Sequence, residues 1–166
     1  MSTFESVLDS FLGHARRRPD AVLFDLPDGT TLSYRDTAEL VHRIAARLRA
    51  DGVQPGDRVA MQVDKSPEAI ALYLATLQVG GVFLPLNTAY TGREVDYFLG
   101  DATPRVLVCT PAREAEFRER TPTSTVVETL GAAGDGSVLG SREPDLDVHP
   151  AEADAPASIL YTSRTT

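Results

Sequence analysis

At 166 residues the chain is long enough for one domain with a real core, and 42% hydrophobic residues argue against disorder. A formal net charge of −8 and a pI near 4.8 leave no surplus of Lys or Arg to neutralise phosphates, which argues against nucleic acid or an anionic membrane as partner. A lone Cys109 excludes an intramolecular disulfide, and no secretory leader or membrane-length apolar run is present, so a soluble cytoplasmic protein is expected.

Phe4, Val7, Leu8, Phe11, Leu12 and Ala15 recur at helical spacing and predict a first helix ending near Pro19, with Arg16-Arg17-Arg18 at its negative end. Residues 21–32 predict a hairpin turning at Pro27-Asp28-Gly29. Ser33-Tyr34-Arg35-Asp36 is a cap-like start for a second helix, whose apolar face carries Leu40, Val41, Ile44, Ala45 and Leu48 and which Gly52 stops. His42 has no acidic or thiol partner at ligand spacing and reads as a surface or satisfied histidine. A strand over 58–63 follows. Pro67 then opens a helix to about Val79, apolar nearly all round and therefore expected to be the most buried. Gly80-Gly81 ends it, and 82–86 returns as a strand. Thr91-Gly92-Arg93-Glu94 matches a capping box and opens a helix through Val95, Phe98 and Leu99. A strand over 105–109, a charged helix over 111–120 and a strand over 125–130 complete the alternation. That alternation predicts an α/β fold with a mainly parallel sheet flanked by helices, the hairpin being its antiparallel exception.

From 131 to 156 the pattern dissolves into Gly, Ser, Asp, Glu and Pro. Gly134, Gly136 and Gly140 loosely resemble the spacing of a dinucleotide fingerprint, but that device needs a helix directly afterwards, and Pro144, Pro150 and Pro156 leave no helical period. A surface loop is expected, with Glu152-Ala153-Asp154 a solvated lead-in to the last strand. His14, His42 and His149 are scattered, no paired-cysteine, zinc-protease or Walker pattern occurs, and Ser163 lacks a nucleophile elbow. Glu94 and Asp96 stand two apart on one helix, hence on different faces. No metal ligand and no catalytic residue is assigned.

The run Ile159, Leu160, Tyr161 reads as a buried strand, and Thr162, Ser163, Arg164, Thr165 and Thr166 follow it directly. Such a step places hydroxyls and amides at a strand's carboxyl end, where open α/β sheets bind ligands. Small residues let backbone N–H groups approach a polyanion such as a triphosphate. By composition alone the same residues make an ordinary Ser/Thr-rich turn.

The string Tyr161-Thr162-Ser163-Arg164-Thr165-Thr166 resembles the phosphate-binding signature of the adenylate-forming enzymes, the superfamily of acyl-CoA synthetases, peptide-synthetase adenylation domains and luciferases. Arg164 stands where that family has Gly, and the chain stops before the second Gly and the Lys. Leu32-Ser33-Tyr34 with Glu39-Leu40 resembles the family's first core motif, and the stretch from Leu77 to Asn87 resembles the second. Lys65 to Ala69, Leu72 to Ala75, Leu86 to Thr91 and Asp96 to Phe98 are most similar to the malonyl-CoA synthetase branch.

The resemblance implies that residues 1–166 are the front part of the large N-terminal AMP-binding domain, truncated inside the phosphate-binding loop and without the C-terminal domain. It implies an ATP-dependent acid–thiol ligase that forms an acyl-adenylate and then an acyl-CoA. ATP, Mg²⁺ and coenzyme A serve the parent family, with malonate or methylmalonate as the suspected acid. Thr162, Ser163, Arg164, Thr165 and Thr166 are the nucleotide-contacting residues so implied. The fragment alone is expected to be inactive and to bind none of these tightly. The other reading is a non-catalytic α/β remnant or interaction module.

Overall fold

The computed structural model describes residues 5–140 and 143–162; Phe4 of the first predicted stripe lies outside them. Helix α1 (Val7–Arg17) starts on Ser6, whose hydroxyl accepts from the Asp9 amide while the Asp9 carboxylate accepts from Ser6, a reciprocal cap. Strands β1 (Val22–Asp25) and β2 (Thr31–Ser33) form the antiparallel hairpin, with Gly29 at φ 85 in the turn. Helix α2 (Tyr34–Ala50) uses the same reciprocal device on Ser33 and Asp36. It buries Leu40, Val41, Ile44, Ala45 and Leu48, the predicted face.

Strand β3 (Arg58–Gln62) leads into α3 (Pro67–Gln78), capped by Ser66 and carrying Pro67 at its first position. Strand β4 (Val82–Pro85) precedes α4 (Gly92–Ala102), capped by the Thr91–Glu94 box. Strand β5 (Val106–Cys109) is followed by a 3₁₀ turn, Pro111–Arg113, and by α5 (Glu114–Arg120), so the charged helix predicted over 111–120 divides at its start. Strand β6 (Val126–Thr129) closes the series.

The four later strands make one sheet in the order β4-β3-β5-β6, with every pairing parallel. The chain steps outward from β3 to β4 and then returns past β3 to β5, which creates a topological switch point between β3 and β5. One apolar cluster, with Val41, Ile44, Leu48, Val59, Leu72, Val106 and Val108, joins the sheet to α1, α2 and α3. The other, with Ala60, Leu84, Val95, Leu107, Phe117 and Val127, joins its opposite face to α4 and α5. The result is a three-layer α/β arrangement, as the alternation predicts.

Helix α3 is buried along most of its length, with Ala71, Leu72, Ala75, Thr76 and Gln78 fully enclosed. Ile70 departs from the all-round burial expected of this helix and is 47% exposed. The loop expected on the surface between 131 and 140 also departs from expectation. Ala132 to Asp135 are exposed, but a 3₁₀ turn, Ser137–Leu139, drives Val138 completely into the first cluster. Gly136 lies at φ 131, where a Cβ would meet the Thr129 carbonyl oxygen at 2.3 Å. Its glycine is therefore required by close backbone packing.

Candidate functional site

The switch point between β3 and β5 is where open α/β sheets usually take ligands. Here side chains fill it. Gln62, at the carboxyl end of β3, is buried; its amide nitrogen donates to the Asn87 carbonyl oxygen at 2.7 Å and its oxygen accepts from Arg113. Arg113 also donates to both carboxylate oxygens of Glu116, each at 3.0 Å, and stacks over the Phe117 ring at 4.6 Å. Gln62 thus has both ends of its amide partnered.

A cavity of about 520 Å³ lies elsewhere, between α1, α3 and the segment 148–157. Leu8, Tyr73, Leu77, Val82 and Pro156 give it an apolar wall, and Glu5, Asp9 and Glu152 at its margin oppose an anion. It is not a phosphate site.

The segment that reaches the last decad is strapped across the C-terminal ends of α2 and α3. Gln78, fully buried, donates from its side-chain nitrogen to the carbonyl oxygens of Asp145 at 2.5 Å and Asp147 at 3.3 Å. Its side-chain oxygen therefore faces His42 Nδ1 at 2.9 Å, which must carry the proton. The Asp145 amide donates to the His42 carbonyl, the His149 amide donates to the Gln78 carbonyl, and Arg49 pairs with Asp145. His42 is the satisfied histidine that the sequence predicts.

Beyond the strap the chain meets the outer edge of β4. The Phe83 amide donates to the Ala157 carbonyl and the Ile159 amide to the Phe83 carbonyl, both at 2.9 Å, forming one parallel bridge at Ser158. The buried strand predicted over Ile159, Leu160 and Tyr161 is not found: only that bridge forms, and Leu160 is 70% exposed. Among the described residues no element covers the outer side of this stretch, so the apolar run lacks a second surface to bury against. Tyr161 turns instead onto α4. Its hydroxyl donates to Asp101 at 2.5 Å, and its ring lies 4.3 Å from that of Phe98. Burial first, then the bond to Asp101, push the Tyr161 phenol up to about 12.

Of the residues predicted to contact nucleotide, Thr162 is described and is exposed; Ser163, Arg164, Thr165 and Thr166 lie outside the described residues. Glu94 and Asp96 do not act together, since Glu94 caps α4 while Asp96 pairs with Arg120 at 2.9 Å. Among the described residues no group of three or more His, Cys, Asp or Glu side chains is gathered to hold a metal ion, and no helix is long and apolar enough to cross a membrane.

Sequence reasoning missed one buried ionic group. Glu128, inside β6, is 2% exposed and pairs with Arg47, which also reaches Asp51 at 3.2 Å; Ser137 donates to its other oxygen. Burial first, and the Glu128 charge second, raise the Asp51 carboxyl above its usual range against the pull of Arg47. The available signal was a glutamate within an apolar strand pattern, which demands a partner without naming it.

These features define an open α/β domain whose chain leaves the core along the outer edge of the sheet and ends on a hydroxyl-bearing stretch. Residues 11–166 match the family of AMP-binding enzymes, and the chain belongs to it. MatB from Rhodopseudomonas palustris in its apo form superposes with a TM-score of 0.89 at 39% identity, over 98% of this chain and 33% of MatB. Its ATP-bound form gives 0.82 at 40% identity, over 90% of this chain and 31% of that one. The oxalate–CoA ligase of Arabidopsis thaliana is 31% identical over 163 residues, 92% of this chain and 31% of the ligase. The chain thus spans about a third of the length of these relatives and corresponds to the N-terminal part of an adenylate-forming enzyme.

Proposed function

We propose that this chain is the N-terminal AMP-binding portion of an ATP-dependent acid–thiol ligase, with malonate or methylmalonate as its acid. The observation that carries the reading is the likeness to MatB across nearly the whole chain, including the stretch that leads into Thr162. In the reaction a carboxylate oxygen attacks the α-phosphorus of ATP, pyrophosphate leaves, and the thiol of coenzyme A then displaces AMP from the acyl-adenylate. A carboxylate approaches that dense anion poorly, so neutralisation of charge and positioning carry the rate.

On this reading the hydroxyls and amides of Thr162, Ser163, Thr165 and Thr166 are the groups of this chain that meet the phosphates. Mg²⁺ supplies further charge neutralisation when bound, and no residue of this chain is assigned to hold it. Arg164 stands where the family has Gly. A Cβ at a close-approach position obstructs the ligand however the guanidinium turns, so Arg164 weakens the site.

The test is to join residues 1–166 to the remaining two thirds of Rhodopseudomonas palustris MatB and measure acid-dependent pyrophosphate exchange. Exchange above the no-acid control is expected with malonate or methylmalonate and not with acetate. Arg164→Gly should raise it by at least about tenfold, equivalent to roughly 1.4 kcal/mol of barrier. An Arg164→Gly chimera silent with every acid, beside an active MatB control, overturns the assignment.

A further inference from the structure

Two of the exposed apolar side chains, Val7 and Val148, line the same hollow. Val7, the first residue of α1, is 59% exposed, and Val148 is 38% exposed. With Tyr73, Leu77 and Val82 they border the cavity of about 520 Å³ between α1, α3 and the segment 148–157. Small-molecule sites occupy about 300–1,000 Å³ and are mostly apolar, with a few polar groups that select the ligand. The nucleotide reading makes no use of this cavity.

Its roof is an arch fastened at both ends. At the start, the His149 amide donates to the Gln78 carbonyl at 2.8 Å. The His149 ring lies against Gly80, at φ 75, where a Cβ would come within 2.5 Å of it, so this close approach requires glycine. At the end, the Phe83 amide donates to the Ala157 carbonyl at 2.9 Å. Between these pins residues 150–156 are exposed throughout. The hydrogen bond found there among the described residues is internal, from the Ala155 amide to the Glu152 carbonyl at 3.2 Å. No hydrogen bond ties the arch to the floor beneath it, and a molecule can lie between them.

Charge selects that molecule. Glu5, Asp9 and Glu152 border the cavity, and among the described residues no Lys or Arg does. The start of α1 also borders it, and the positive end of a helix attracts anions. Asp9 already meets that end, accepting from the Ser6 amide at 3.1 Å. The helix end carries only about half a unit charge, so three carboxylates outweigh it. We propose that this cavity is a binding site for a small amphiphilic amine, its apolar body against Val7, Tyr73 and Leu77 and its ammonium toward Glu5 and Glu152. An arch pinned at both ends suits a small molecule held beneath it.

The experiment uses this chain and three probes with one apolar body: 4-phenylbutylamine, 4-phenylbutanol and 4-phenylbutyrate. Methyl NMR follows Val7, Leu77 and Val82 as each is added. The amine should shift these methyls saturably and bind about tenfold more tightly than the carboxylate, as opposite charge effects at a partly enclosed site require. The alcohol should fall between them. Glu152→Lys, on the exposed arch, should reduce the preference for the amine to less than about threefold without touching the core. Leu77→Gln should weaken all three probes together, because it removes apolar wall and no charge. Glu119→Gln, on α5 across the sheet, removes an equal charge and should leave the preference unchanged.

Equal affinity for amine, alcohol and carboxylate overturns the proposal, because the hollow is then merely apolar. So do shifts that fail to saturate or that bypass Val7, Leu77 and Val82. A loss of preference in Glu119→Gln as large as that in Glu152→Lys also overturns it, since the attraction then belongs to the net negative charge of the whole chain.

Discussion

Asp51 and Glu94 are both carboxylates at helix ends, and their surroundings push them in opposite directions. Glu94 accepts from the Thr91 amide at 2.8 Å and from its hydroxyl at 2.7 Å, and these bonds, the amide's first, lower its pKa below the ordinary 4.5. A carboxyl lowered by folding adds stability above its unfolded pKa and loses it as pH falls through the folded one. Asp51 is raised above 3.8 by burial and by Glu128, so its favourable contribution belongs to the protonated form and is lost as pH rises. Glu94→Gln should therefore lower the melting temperature at pH 7, with the deficit closing as pH drops below 4.5. Asp51→Asn should raise it at pH 7, with the gain fading as pH falls toward 3.8. Thermal melts across pH 3 to 7 check both, and parallel responses of the two variants would contradict the sign given to Asp51.

At the scale of elements, what was legible in the sequence was local. The hairpin, the Ser33 and Thr91 caps and the strands of the parallel sheet each depend on neighbours within a few residues, and each stands as predicted. The strap was not legible, because Gln78 meets Asp145 and Asp147 across 67 and 69 residues and no periodicity links them. Arg47 and Glu128, 81 residues apart, escaped for the same reason. The strand expected over 159–161 failed on the converse point: β propensity specifies a strand only where a second face is covered. Gln78 then makes the strap testable. Gln78→Leu keeps the bulk but leaves His42 and two carbonyl oxygens without their partner, a loss of about 1–3 kcal/mol for a buried amide. The denaturation midpoint should fall accordingly, and hydrogen exchange at the Asp145 and His149 amides should rise. If those amides stay protected, the backbone bonds hold the strap and Gln78 does not.

Across the whole molecule the two apolar clusters lie on opposite faces of one sheet, so neither opens without disturbing strands that the other shares. Cys109 is the natural probe of this coupling. It ends β5, an inner strand between β3 and β6, is fully buried, and its Sγ lies 3.7 Å from the Glu128 carbonyl oxygen. Burial first, then the charge of Glu114, push its thiol up to about 11, so both access and ionisation protect it. Alkylation of the native chain at pH 8 should be at least about a thousandfold slower than in urea, since a thiol at this depth reacts only through the rare opening of the domain. The rate should fall in step with the unfolded fraction as denaturant is removed. A native rate within about tenfold of the unfolded one would mean that β5 is reached by local opening, with the two faces of the sheet unfolding independently.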